Sequence, residues 1–422
     1  MNYCCTPTGM SRRHFMRHLA GASAFVGPAF ALTRTMRANA KALSKDHKSA
    51  ILLWLGGGPP SIDMWDMKPG APTAGEFKPI STTGDFQICE LLPTLAQQGK
   101  HLSIVRSMST READHERGRY YMHTGYVPSP NVEHPGYGSV VAHEMESKVP
   151  ELEIPPFVSI GGASEGPGFL GMAYAPFQVD ANGRIKDVEM SVPLQRMSDR
   201  MKLLGALETR FIDERRGSAA EEHAKVLKKT QELLTSEQMK AFQVRSEPQE
   251  MVAKYGDNNF GRGCLMARRL VEVGVPFVEV NSGGWDLHQN CFTSLQTKLP
   301  ELDKAFAALM DDLQQRGLLE STVVLCMGEF GRTPRINGNS GRDHFARAWS
   351  VALGGAGIVG GRAIGKTNAD GTGVESDPFS SEDLMATVCH ALGISLQTTY
   401  TAKNGRPMKI AGGGHVIQDL FA

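Results

Sequence analysis

Asp286 and His288 stand two residues apart in GGWDLHQN, Glu329 and Arg332 follow in GEFGRTP, and Asp343 and His344 are neighbours in GRDH. An earlier loop, GGGPPSIDMWDMKP, supplies Ser61, Asp63 and Asp66. Carboxylates and imidazoles are the ligands that Zn²⁺, Mn²⁺ and related divalent ions take. Such an ion polarises an ester oxygen or lowers the pKa of a bound water. Taken singly, each loop also reads as a capped, solvated turn, with Glu329 simply paired to Arg332. Recurrence of the pattern in three loops is what points to a functional cluster. A second dense stretch, STREADHERGRYYMHTGYVP, holds His115, Arg117, Arg119 and His123. His115 and Arg119 share a helical face at i, i+4, and their charge suits an anionic ester at a helix N-terminus. Glu112, Asp114 and Glu116 would equally well neutralise the same stretch as an exposed charged helix.

These loops need a frame. Residues 49–55, SAILLWL, form a short apolar run that stops at glycines, as a fully buried parallel strand does. The segments 101–107, 157–162, 276–282 and 321–328 repeat the theme. Between the last two, Leu299, Leu302, Phe306, Leu309 and Leu313 recur at helical spacing. Pro300 suits the first turn of that helix and Gly317 its end. Strand, helix, strand is the unit of a parallel sheet, and ligands of such sheets gather beyond the carboxyl ends of the strands. FSSEDLMATVCHALGIS predicts a further helix, capped by Ser380 or Ser381 and closed near Gly393. Residues 185–255, rich in Glu, Lys, Arg, Met and Leu, predict a helical insertion beside the sheet.

The chain of 422 residues is long enough for one large α/β domain or two ordinary ones, and its formal charge is zero. That balance argues against a nucleic-acid or polybasic membrane partner. The N-terminus contains Ser-Arg-Arg-x-Phe-Met before a mildly apolar stretch, and residues 1–40 hold five arginines and no acid. This is the pattern of a twin-arginine export signal, which places the protein in the periplasm or cell envelope and makes the export machinery a partner. Small residues before Ala31 and Ala40 offer two cleavage points. Beyond the signal, no stretch reaches the roughly 20 apolar residues of a membrane helix. Cys89, Cys264, Cys291, Cys326 and Cys389 are scattered without a Cys-x-x-Cys, which leaves thiolate zinc, iron–sulfur and haem attachment unsupported. They read as small core residues.

SRRHFM, LLWLGGGPPSIDMWDMKP, HERGRYYMHTGY, GGWDLHQN and GEFGRTP…GRDH together resemble a twin-arginine-exported family of unknown function within the alkaline phosphatase/sulfatase superfamily. The likeness runs across essentially the whole chain. It implies an alkaline phosphatase-like three-layer α/β/α domain over roughly residues 45–422, with a mainly parallel sheet and the helical insertion. By position, His115 falls where sulfatases carry the cysteine that becomes formylglycine, and Arg119 falls on their arginine. Glu329 takes the place of a metal-binding aspartate, and Phe330 that of a histidine. Two departures stand out: Gly56-Gly57 replace the paired aspartates of the first strand, and no Cys-x-Pro-x-Arg occurs. The resemblance implies a metal-dependent hydrolase of phosphate or sulfate esters, acting on a small anionic ester or a sulfated or phosphorylated glycan. Asp286, His288, Glu329 and His344 would hold one or two divalent ions (Zn, Mn, Ca or Mg), with Asp63 standing in for the missing first-strand acid. His115 would be nucleophile or general acid/base, with Arg119 and Arg332 on the anion. The altered ligands leave an alternative, a catalytically degenerate member that binds anionic envelope glycans.

Overall fold

A computed structural model of the chain describes residues 47–185 and 236–422, together with Arg196, Leu233 and the stretches 199–200 and 202–206. The twin-arginine segment and most of the expected insertion lie outside the described residues.

The architecture grows from β1, Ser49–Leu55, in which every residue is buried. Alternation along this strand decides the layers. Ile51, Leu53 and Leu55 pack into one core cluster with α3 (Asn259–Glu272) and α4 (Cys291–Arg316). Ala50, Leu52 and Trp54 pack into a second cluster with α1 (His115–Thr124), α2 (Tyr137–Met145) and α5 (Ser381–Leu392). A strand apolar on both faces thus becomes the middle of an α/β/α sandwich.

The other sheet strands are β2 (Ser103–Met108), β3 (Phe157–Ile160), β4 (Phe177–Val179), β5 (Phe277–Ser282), β6 (Thr322–Met327), β9 (Trp349–Gly354) and β10 (Arg362–Ile364). Between β6 and β9 a two-residue ribbon forms from β7 (Gly331–Arg332) and β8 (His344–Phe345). The eight-stranded order is β10-β2-β9-β6-β1-β5-β3-β4. β1 pairs in parallel with β5 and β6, whereas β9 runs antiparallel to both β6 and β2. The sheet is therefore mainly parallel, as expected. Registers Leu55↔Ser282 and Trp54↔Met327 bring β1, β5 and β6 to an end side by side. Their following loops consequently emerge at one edge.

Local signals explain the helices. Ser380 forms a capping box with Asp383, and Gly393 closes the same helix in the left-handed conformation. Gly317 closes α4 in that conformation too. One expectation is corrected: α4 starts at Cys291, so Pro300 lies inside it rather than in its first turn. The helix runs through because the ridge Leu295, Leu299, Leu302 and Phe306 is fully buried and holds it against α3. All five described cysteines are free and buried, in keeping with a packing role. No helix among the described residues is long and apolar enough to cross a membrane.

Candidate metal centre

The loops after β1, β5 and β6 meet the N-terminus of α1 at the carboxyl edge of the sheet. Their meeting is possible because Gly57 has no side chain: at φ +121, a Cβ there would lie 2.4 Å from the Asp286 nitrogen. The glycine pair that replaces the expected aspartates therefore has a use of its own. The Gly57 N–H donates to Glu329 Oε1 at 2.9 Å, and the Trp285 N–H donates to the Gly56 carbonyl at 3.1 Å.

Asp286 Oδ1 is the point on which the cluster converges. Nε2 of His288 lies 3.0 Å from it, Nε2 of His115 3.3 Å and Nε2 of His344 3.4 Å. Each of these rings has its other nitrogen tied to an acceptor. His115 Nδ1 lies 2.6 Å from Glu329 Oε1, His288 Nδ1 2.9 Å from Asp343 Oδ1, and His344 Nδ1 2.7 Å from the Ala113 carbonyl. Carboxylates and carbonyls only accept, so each Nδ1 carries the proton and each Nε2 is left with its lone pair. The Nε2 atoms of His288 and His344 are 3.0 Å apart. Two neutral lone pairs at that distance repel unless a proton or a cation lies between them. His115, Asp286 and His344 offer ligand atoms that all lie within 4.8 Å of one another, with His288 beside them. An outer acceptor on every ligating imidazole is the usual companion of a metal-bound histidine. The donor set and its outer shell fit a divalent ion of the zinc kind.

Burial works to raise the Asp286 carboxyl, yet the Arg332 guanidinium and the neighbouring histidines hold it down at about 2. The Glu329 hydrogen bond raises His115, against the desolvation of its ring. Burial lowers His344, which keeps its ring neutral. Phe330, fully buried, forms an apolar floor, 5.1 Å from the His115 ring and 4.8 Å from that of His344. His344 arrives from further along the chain because the β7–β8 ribbon sets it opposite Arg332.

Three expected residues take other places. Asp63 is not in the cluster: Arg342 grips it through Nε to Oδ2 at 2.7 Å and Nη2 to Oδ1 at 2.9 Å, and both are buried. That pair staples the loop after β1 to the ribbon, and removing one partner would leave a buried charge at a cost of about 3–5 kcal/mol. Arg332 does not face an anion either. Its buried guanidinium donates to the carbonyls of Gly57, Gly58 and Arg342 and to Asp286 Oδ1, the same oxygen on which the imidazoles converge, so it fixes that carboxylate in place. Glu329 lies behind His115 and orients that ring. Arg119 does line the adjoining cavity of about 620 Å³, with Nη2 donating to the Ala163 carbonyl at 2.9 Å. Sequence inspection passed over Glu165, which reaches the same cavity and lies 3.3 Å from Arg119 Nε. Gly161-Gly162 after β3 repeats the strand-then-glycine pattern of the other loops and was the available signal.

Residues 47–421 match a family described as "Protein of unknown function (DUF1501)". The chain belongs to this family. A comparison with curated proteins finds no match. Among solved structures, the DUF1501 chain is similar to PsFucS1, a sulfatase from Pseudoalteromonas sp., at 12% identity and TM-score 0.39, over 87% of this chain and 72% of that one. It is similar to the alkaline phosphatase of the Antarctic bacterium TAB5 at 11% identity and TM-score 0.35, over 83% and 98%. A protein of the alkaline phosphatase superfamily from Vibrio parahaemolyticus aligns at 12% identity and TM-score 0.36, over 92% and 78%.

Proposed function

We propose that this DUF1501 protein is a hydrolase of phosphate or sulfate esters that works with a divalent ion held by His115, Asp286, His288 and His344. One observation carries the reading: the imidazole Nε2 atoms converge on Asp286 Oδ1 while every Nδ1 is tied to its own acceptor. The ester class follows from the sequence resemblance to the alkaline phosphatase/sulfatase superfamily. A bound ion would supply Lewis acidity toward an ester oxygen or a water.

The protein's own residues do the rest. Glu329 fixes the His115 tautomer, Arg332 keeps Asp286 ionised, and the Phe330 ring shields one side from solvent. In the hydrolysis, water adds its oxygen to phosphorus or sulfur, the ester bond to the alcohol oxygen breaks, and the alcohol leaves with a proton. His115 Nδ1 is tied to Glu329, while its Nε2, without a hydrogen-bond partner, lies 3.3 Å from Asp286 Oδ1, which favours a ligand's role for it over that of nucleophile. Metal analysis of the purified chain after loading should find bound Zn, Mn, Mg or Ca together with turnover of aryl phosphates or sulfates. Asp286→Ala should lose both. Absence of bound ion at saturating metal, with no turnover of either ester class, would sink the reading.

The Arg12-Arg13 pair supports export through the twin-arginine pathway to the periplasm. Replacing both arginines with lysine should leave the full-length chain in the cytoplasmic fraction of a host that carries the pathway. Unchanged export would remove that assignment.

A further inference from the structure

Arg119 brings a guanidinium to the cavity beside the metal cluster, and two separate attachments fix it there. At its head, Nη2 donates to the Ala163 carbonyl at 2.9 Å, and Glu165 Oε1 lies 3.3 Å from Nε. A guanidinium carries five N–H donors in a planar fork, so these contacts leave Nη1 for a ligand. At its base, the Arg119 carbonyl lies 2.9 Å from His123 Nδ1. A carbonyl only accepts, so His123 donates from Nδ1 and turns Nε2 the other way.

Both attachments lead to one residue. Ser164 stands between Ala163 and Glu165 in the loop after β3, and its hydroxyl donates to Glu279 Oε2. The same oxygen lies 3.3 Å from His123 Nε2. Glu279 on β5 therefore ties the loop that grips the guanidinium to the helical turn that carries its backbone. It is fully buried and absent from the cavity wall, and His123 is buried with it. Buried charge pairs of this kind add little to stability, and apolar replacements of similar size are often neutral or better. What this one supplies is direction.

Resting on the hydrolase reading of the same site, we propose that Glu279, acting through Ser164 and His123, is the positioning residue of Arg119, whose guanidinium donates to the phosphate or sulfate group of the ester. Glu279 itself touches neither ion nor ester. Its effect reaches the ligand only through the arginine, and that dependence is what an experiment can isolate.

The test measures binding of inorganic phosphate and of sulfate to the metal-loaded full chain by calorimetry, beside ion affinity from a chelator competition. Arg119→Met should weaken anion binding by about tenfold or more, the size of one charge-assisted hydrogen bond. Ser164→Ala and Glu279→Met should each weaken it by about threefold or more with ion affinity unchanged, and should do nothing further in a chain that already carries Arg119→Met. Glu279→Gln keeps an acceptor for Ser164 and offers an N–H to His123 while removing the charge, so it should recover most of the binding lost in Glu279→Met. Should Glu279→Met fail to fold, Ser164→Ala, at a half-buried position, carries the cycle alone. No loss in the single variants, losses that persist without the Arg119 side chain, or a parallel fall in ion affinity overturns the proposal. So does an unmodified chain that binds neither anion. Hydrolysis of aryl phosphates and sulfates is scored apart. Coupling without cleavage removes the hydrolase reading and leaves the positioning role, cleavage without coupling does the reverse, and the absence of both removes both.

Discussion

Replacing Glu329 with glutamine keeps the size of the side chain but removes the charge that fixes the Nδ1 proton of His115 at 2.6 Å. An outer carboxylate of this kind contributes about 10–100-fold to metal affinity. Glu329→Gln is therefore expected to weaken ion binding by that factor in a competition titration with a chelator, without unfolding the chain. An unchanged affinity would mean that His115 is not a ligand. The loop residues were visible in the sequence as a set of acids and histidines, but their roles were not. Loop spacing cannot tell an inner carboxylate from an outer one. Asp286 and Glu329 each follow a strand, yet only Asp286 has a partly exposed carboxylate, whereas Glu329 points back under α1. Asp63 misled for a related reason. A buried acid looks the same in sequence whether its partner is a metal or an arginine, and Arg342 lies 279 residues away.

Helix α1 shows how an element turns spacing into geometry. His115, Arg119 and His123 recur every fourth residue and so share one face. They meet Glu329 after β6, Glu165 after β3 and Glu279 on β5. The helix is thus laid across three strands by three charge pairs. The innermost pair, His123 with Glu279, is almost fully buried. Close approach is allowed by Gly118, where a Cβ would sit 3.1 Å from the Phe330 ring and 3.3 Å from Glu329 Cβ. Gly118→Val should push the helix off this surface and lower ion affinity by about tenfold or more, although no ligand is altered. An affinity equal to that of the unmodified chain would show that the helix tolerates displacement. The i, i+4 pairing on α1 was legible in the sequence, as were β1, β2, β3, β5 and β6 to within about two residues. Strands β4, β9 and β10 were not. β4 and β10 are three residues long, too short to show a period, and β9 ends in a glycine run and pairs antiparallel where the pattern predicts parallel.

Across the whole molecule the acid side of stability has an identifiable contributor. Burial works to raise Glu247, but Arg268 and Arg269 overcome it and hold the carboxyl below its ordinary range. A carboxylate depressed on folding adds stability above its unfolded pKa and loses it as pH falls through the folded value. The melting temperature of the metal-free chain should accordingly fall from about pH 5 downward, and Glu247→Gln should lower it at neutral pH while flattening the acid slope. A parallel slope in the variant would exclude Glu247. The same scale shows why the centre was only half legible. Its parts come from loops that a sheet order of β2-β9-β6-β1-β5-β3 brings together, and strand order is not written in local pattern. His115 and Glu329 are 214 residues apart, Gly57 and Glu329 272. The ligands are spread over residues 115–344, and the cluster does not exist until the sheet has closed. An ion that binds there can be acquired only by a finished fold, so metal loading follows the closing of the sheet and cannot guide it.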